Sequence, residues 1–155
     1  MEHTAEQLAK LLMEKQKTLA TAESCTGGMI SSAIVGMPGV SSIFKAGFVT
    51  YANEAKVKML GVSEETLKQY GAVSMDTAKQ MAEGAAKAAE CDLAISVTGI
   101  AGPDGGTIEK PVGLVYIGSY VDGIAYAEEY HFTGDRKGIR ESAAKAAMLQ
   151  LMKYL

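Results

Sequence analysis

The stretch from Thr18 to Val35 limits the possible folds more than any other part of the chain. A strand-like run, Thr18 to Glu23, leads into Ser24-Cys25-Thr26-Gly27-Gly28 and then an apolar helical stretch, Met29 to Val35. A strand, a glycine turn and a helix start in that order belong to sheets with helices packed on their faces. Leu93 to Val97 is a second such run, here a buried strand, followed by the glycine-rich segment Thr98 to Gly106. Around these two anchors the remaining elements can be read off. Thr4 and Gln7 form a capping-box pattern ahead of Leu8, Leu11 and Leu12, which predicts a first helix to about Lys15. After a break at Pro38-Gly39, Ala46 to Tyr51 reads as a strand running into a short helix around Glu54 to Leu60. Ser63, with Glu64 and Glu65 behind it, caps a helix ending near Gly71. Ser74 and Asp76 start a longer helix whose Ala78, Met81, Ala82, Ala85 and Ala89 form a core-facing stripe. Val112 to Val121 and Ile124 to Phe132 flank Asp122-Gly123, a hairpin dipeptide. A last helix follows Asp135 and carries Ile139, Ala143, Ala147 and Leu151. The expected fold is one α/β domain over residues 1–155, a three-layer α/β/α sandwich on a mixed, roughly five-stranded sheet.

Composition removes several classes of function. A net charge of −3, no Trp and no Lys/Arg run argue against nucleic acid as a partner. They leave room for a small phosphate-bearing molecule, which needs only a local pair of arginines. Two cysteines and two histidines make neither a disulfide framework nor a metal set, so no metal is expected, and a serine-based hydrolysis would need no cofactor. The start of the chain lacks a leader's apolar core, and no uncharged apolar stretch is long enough to span a bilayer. The expected location is therefore cytoplasmic, with no membrane partner, and the expected assembly is a homodimer.

In open α/β sheets ligands bind beyond the carboxyl ends of the strands. Three such ends carry polar or glycine-rich loops: Glu23 to Gly28, Tyr51 to Lys56 and Thr98 to Gly106. Ser24 stands where a nucleophile would, and the backbone N–H groups of Thr26, Gly27 and Gly28 suit an oxyanion or a phosphate. The same residues also fit a simpler role, with Ser24 or Thr26 as the cap of the helix that follows. Cys25 is an alternative nucleophile and, equally, an ordinary small buried residue. His3 lies in the N-terminal segment and His131 near the end of a hairpin strand, so a lysine or tyrosine must activate the serine. Lys56, five residues after Tyr51, is placed for that role, or is a solvated helix lysine. As a base it must be neutral, a downward pKa shift of roughly three units. The loop containing Gly99 and Gly102 is a backbone cradle or a plain turn; it is neither a Walker loop nor a dinucleotide fingerprint. Arg136 and Arg140 sit one turn apart at the start of the last helix, where the dipole opposes cations. A bound phosphate would resolve that conflict, and so would a surface helix in which Glu141 offsets the charge.

Six segments together resemble one family. They are AESCTGG (Ala22 to Gly28), TYANEAK (Thr50 to Lys56), GAVS (Gly71 to Ser74), TGIAGPDGG (Thr98 to Gly106), KPVG (Lys110 to Gly113) and the GDR…IR pattern ending at Arg140. In order and over nearly the whole chain, they are similar to the CinA C-terminal domain, the nicotinamide-nucleotide amidase family. The resemblance implies deamidation of nicotinamide mononucleotide to nicotinate mononucleotide and ammonia, in pyridine nucleotide salvage. It places the catalytic serine at Ser24, with Tyr51, Lys56 and Thr98 as its partners in the proton path. Oxyanion donors are then expected near Gly27 or Gly99. Arg140, in the motif's closing pair, is the leading phosphate ligand. Asp104 and Ile108 depart from the family pattern, which often has a smaller residue and a proline there. The N-terminal domain of longer CinA proteins, and any activity residing in it, is expected to be absent. Some members are known chiefly as competence- or damage-related proteins, so a non-catalytic nucleotide-binding module is the rival expectation.

Overall fold

The computed structural model describes residues 1–155. Five strands form one sheet in the order β2-β1-β3-β4-β5. They are β1 (Leu19–Glu23), β2 (Phe44–Val49), β3 (Leu93–Gly99), β4 (Leu114–Val121) and β5 (Ile124–His131). β1 runs parallel to both β2 and β3, whereas β4 and β5 are antiparallel additions. The sheet is therefore mixed. β1 is fully buried and β3 nearly so, as expected for strands covered on both faces. The β4–β5 turn falls on Asp122 and Gly123, with φ of 45° and 97°, the left-handed pair that a tight hairpin needs.

Six helices cover the two faces: α1 (Glu2–Lys15), α2 (Met29–Val35), α3 (Asn53–Leu60), α4 (Glu64–Tyr70), α5 (Met75–Ala89) and α6 (Arg136–Lys153). On one side α1, α2 and α6 pack on Leu19, Ile95, Val97, Val115 and Ile117. On the other, α5 lays Met81, Ala82, Ala85 and Ala86 against Ala20, Ala22 and Ala94, with Leu60 of α3 in the same cluster. Small residues on both surfaces let α5 sit close to the sheet. The layers are α/β/α, as the sequence predicts.

Element ends differ from expectation in three instructive places. α1 starts at Glu2 with Met1 as its cap, and Thr4 is a buried helical residue rather than a capping side chain. The apolar stripe of α1 decides its start, not the hydroxyl. β2 spans Phe44–Val49 instead of Ala46 to Tyr51: Thr50 keeps a single backbone bond to β1, and Tyr51 begins the turn into α3. β3 extends to Gly99, so Thr98 and Gly99 belong to the strand, paired with Tyr116 and Val115. Ser63, Ser74 and Asp135 cap α4, α5 and α6 with their side chains, in line with the sequence.

Candidate active site

The strand order brings the three loops together. β1 lies between β2 and β3, so the turn after Glu23 opens between the ends of its neighbours. The ladder continues one step past β1 on each side: Thr50 N–H donates to Glu23 O (3.0 Å) and Ser24 N–H to Val97 O (3.0 Å). Ser24 is thus held by the sheet itself, 8% exposed, at the wall of a cavity of about 190 Å³. Gly28, not Ser24 or Thr26, is the cap of α2, with φ 102° and no side chain. The capping role that the sequence left open for Ser24 and Thr26 is therefore not the one they have.

Lys56 reaches this point from the first turn of α3. It is only 1% exposed, although it carries a charge in water. Its Nζ lies 2.9 Å from Ser24 Oγ, 2.8 Å from Thr50 O and 3.1 Å from Tyr51 O. All three partners are uncharged oxygens, and burial without a counter-charge pushes the lysine pKa below its ordinary 10.5. The three oxygens match the three N–H groups of the charged form; once neutral, the amine keeps two N–H groups for the two carbonyls and has a lone pair for the serine hydroxyl. The alternative of a solvated surface lysine does not match this burial.

The other expected residues have distinct places. Thr98 is buried and gives its hydroxyl hydrogen to Ala72 O (2.8 Å), so toward the cavity it offers lone pairs. Tyr51 contributes its carbonyl to Lys56, while its ring stands 65% exposed at the mouth with its hydroxyl 3.5 Å from Arg136 Nη2. In the turn, Gly27 N–H is taken by Ser24 O (3.1 Å), whereas the N–H groups of Cys25 and Thr26 have no backbone acceptor. Thr26 Oγ1 is buried without a partner. Gly99 is the last residue of β3, beside Val115, and lines the cavity. Gly102 O accepts from Arg136 Nη1 (2.7 Å).

The two arginines divide. Arg136 lines the cavity with Ser24, Tyr51, Lys56, Thr98 and Gly99. Arg140 does not: its Nε donates to Cys25 O (2.8 Å) and its Nη2 to Thr26 O (3.2 Å), behind the turn. Cys25 also touches the cavity, but its burial pushes the thiol pKa up to about 11. Three lining residues carried no chemical signal in the sequence: Asn53 on α3, and Ala72 and Val73 ahead of α5. The motif GAVS contains the last two, yet nothing in an Ala-Val pair identifies it as a wall. No group of three or more His, Cys, Asp or Glu side chains is placed to hold a metal ion, and no helix is long and apolar enough to cross a membrane.

Comparison with known proteins agrees with this architecture. The family model described as the CinA C-terminal domain matches residues 1–155. A provisionally named competence-damage inducible protein of Caldicellulosiruptor saccharolyticus is 55% identical over 150 residues, covering 97% of this chain and 36% of that protein. A relative of the same name from Clostridium novyi is 51% identical with the same coverage. The chain thus spans about a third of the length of these relatives. Among solved structures, the competence/damage inducible protein CihA of Agrobacterium tumefaciens superposes with a TM-score of 0.95 at 42% identity, covering 98% of this chain and 93% of that one. A CinA superfamily protein of Escherichia coli gives 0.96 at 38% identity, covering 99% and 90%. Fold, whole-chain family match and close relatives agree, and the chain belongs to the CinA C-terminal domain family.

Proposed function

We propose that this chain is an amidohydrolase that converts nicotinamide mononucleotide to nicotinate mononucleotide and ammonia, with Ser24 as nucleophile and Lys56 as base. One observation carries the chemistry: a buried lysine without a counter-charge lies 2.9 Å from a serine hydroxyl at a strand end. The choice of substrate rests on the family resemblance of the motifs. Cavity size is compatible with it. At about 190 Å³ the cavity is smaller than the ~300–1,000 Å³ of most small-molecule sites. It would take the pyridine ring and carboxamide against Ala72, Val73 and Ala101, leaving ribose and phosphate at the mouth beside Tyr51 and Arg136.

In this reading Ser24 Oγ attacks the carboxamide carbon as its proton passes to Lys56 Nζ. The carbonyl oxygen becomes an oxyanion held by the free N–H group of Cys25, which lines the cavity. Thr98 Oγ1, its own hydrogen committed to Ala72 O, accepts from the carboxamide NH₂. Lys56 then protonates that nitrogen, the C–N bond breaks and ammonia leaves. A water molecule, deprotonated by the same lysine, attacks the ester on Ser24 and releases the carboxylate product.

The test is ammonia release from a panel of mononucleotide, riboside and free nicotinamide, using chelator-treated protein. Wild-type protein should release ammonia best from the mononucleotide, and Ser24→Ala should lose about a thousandfold or more in kcat while keeping its fold. Binding of the mononucleotide without ammonia release would instead make the chain a nucleotide-binding module.

A further inference from the structure

We infer that Glu23 is the positioning residue of the catalytic turn, fixing both ends of residues 24–28 so that Ser24 and the Cys25 N–H group keep a single geometry. The inference rests on the reading of Ser24 as nucleophile.

Glu23 is the last residue of β1 and is completely buried. Its backbone oxygen accepts from Thr50 N–H, which locks the entry to the turn into the sheet. Its side chain lies across the exit. Oε1 accepts from Ile30 N–H (2.9 Å), and Oε2 accepts from Ser31 N–H (3.0 Å) and Ser31 Oγ (2.7 Å). Ile30 and Ser31 are the second and third residues of α2, whose N–H groups a capping side chain normally satisfies. Gly28 cannot supply one: it has no side chain, and its φ of 102° is a conformation that L side chains rarely adopt. The cap is therefore provided from the strand, five residues earlier. Placing a carboxylate in the core is costly unless its lone pairs are filled by donors, and here three donors converge on it. An ordinary local cap would leave strand and helix free to shift against each other. Glu23 ties them directly, and the turn between carries the nucleophile.

Glutamine is the informative replacement. It keeps the shape but turns an NH₂ group toward donors, so the helix start must move. The probe is phenylmethanesulfonyl fluoride, which Ser24 Oγ attacks with loss of fluoride, the serine proton passing to Lys56; labelling is followed by mass. In Glu23→Gln, labelling of Ser24 per folded molecule should slow about tenfold or more. Its pH midpoint should stay at the wild-type value, because Lys56 is held by Thr50 O and Tyr51 O on the other side. If Glu23→Gln does not fold, Ser31→Ala removes one donor, and a smaller slowing is expected. Wild-type labelling in folded Glu23→Gln, or in Ser31→Ala where the first variant fails to fold, overturns the positioning role. Slowing that follows only the unfolded fraction overturns it as well, since Glu23 would then serve stability alone. A wild-type protein unlabelled at Ser24 overturns the nucleophile and the positioning role together, whereas loss of the role alone leaves wild-type labelling intact.

Discussion

Ser24 and Cys25 are chain neighbours that share one cavity, and their surroundings treat them differently. Ser24 Oγ meets the nitrogen of Lys56, while the Cys25 thiol, with its pKa pushed up to about 11, is ionised in only about one molecule in ten thousand at neutral pH. Cys25→Ala should leave turnover near the wild-type rate, and loss of activity there with retention in Ser24→Ala would reverse the assignment. The arginines separate in the same way. Arg136 faces the cavity with one edge held by Gly102 O, so Arg136→Ala should raise KM for the mononucleotide about ten- to hundredfold and change kcat little. Its use of the riboside, which has no phosphate, should be unaffected. Arg140 clamps the carbonyls behind the turn, and Arg140→Ala should lower kcat on every substrate alike. A KM effect confined to phosphate-bearing substrates in Arg140→Ala would return the phosphate to that residue.

At the scale of elements, the position of Lys56 depends on how α3 lies on α5. Gly84 of α5 passes so close that an added Cβ would fall 1.8 Å from Leu60 O, at the end of α3 and one turn beyond Lys56. No rotamer relieves a contact with backbone, so Gly84→Ala must push α3 outward. Overpacking of this kind costs about 1–3 kcal/mol, several degrees in Tm for a chain of this length. kcat should fall further than the loss of folded protein explains, because the lysine moves with its helix. Thermal melts and active-site titration of Gly84→Ala check both halves, and an unchanged kcat per active site would detach α3 packing from Lys56. Elements were also where local signals proved most and least legible. Ser63, Ser74 and Asp135 are caps that a sequence pattern finds, because each acts three residues ahead on its own helix. The cap of α2 escapes such a pattern, since its donor-filling group comes from the preceding strand.

For the molecule as a whole, Lys56 ties stability to pH. Its pKa is lowered on folding, so between the folded value and the ordinary 10.5 the unfolded chain binds the extra proton. Stability therefore rises with pH across that window, and below the folded pKa the penalty is complete. Lys56→Met has no such penalty. The stability of Lys56→Met relative to wild type should be greatest at the acid end and shrink as pH approaches 10.5, as read from urea melts across pH. A difference independent of pH would mean that Lys56 titrates normally. The same group should give wild-type kcat/KM a limb that rises with pH at a midpoint below the free-lysine value, lost in Lys56→Met along with about 10²–10⁴ of the rate.

Local order in the sequence was enough for the element sequence, the hairpin at Asp122-Gly123 and the three loops that meet at the site. Those features follow from periodicity, turn chemistry and strand ends, which are encoded over a few adjacent residues. Ser24, Lys56, Tyr51 and Thr98 could be singled out from their positions and from the family resemblance, but their roles toward one another could not. That Lys56 rather than the Tyr51 hydroxyl reaches Ser24, and that Arg136 rather than Arg140 faces the cavity, follows from the order β2-β1-β3 and from the rotation of α3 and α6. Asn53, Ala72 and Val73 became cavity walls, and Glu23 a distant cap, for the same reason. These are contacts between segments far apart in the chain or on different elements, and packing of the assembled sheet and helices, not local pattern, selects them.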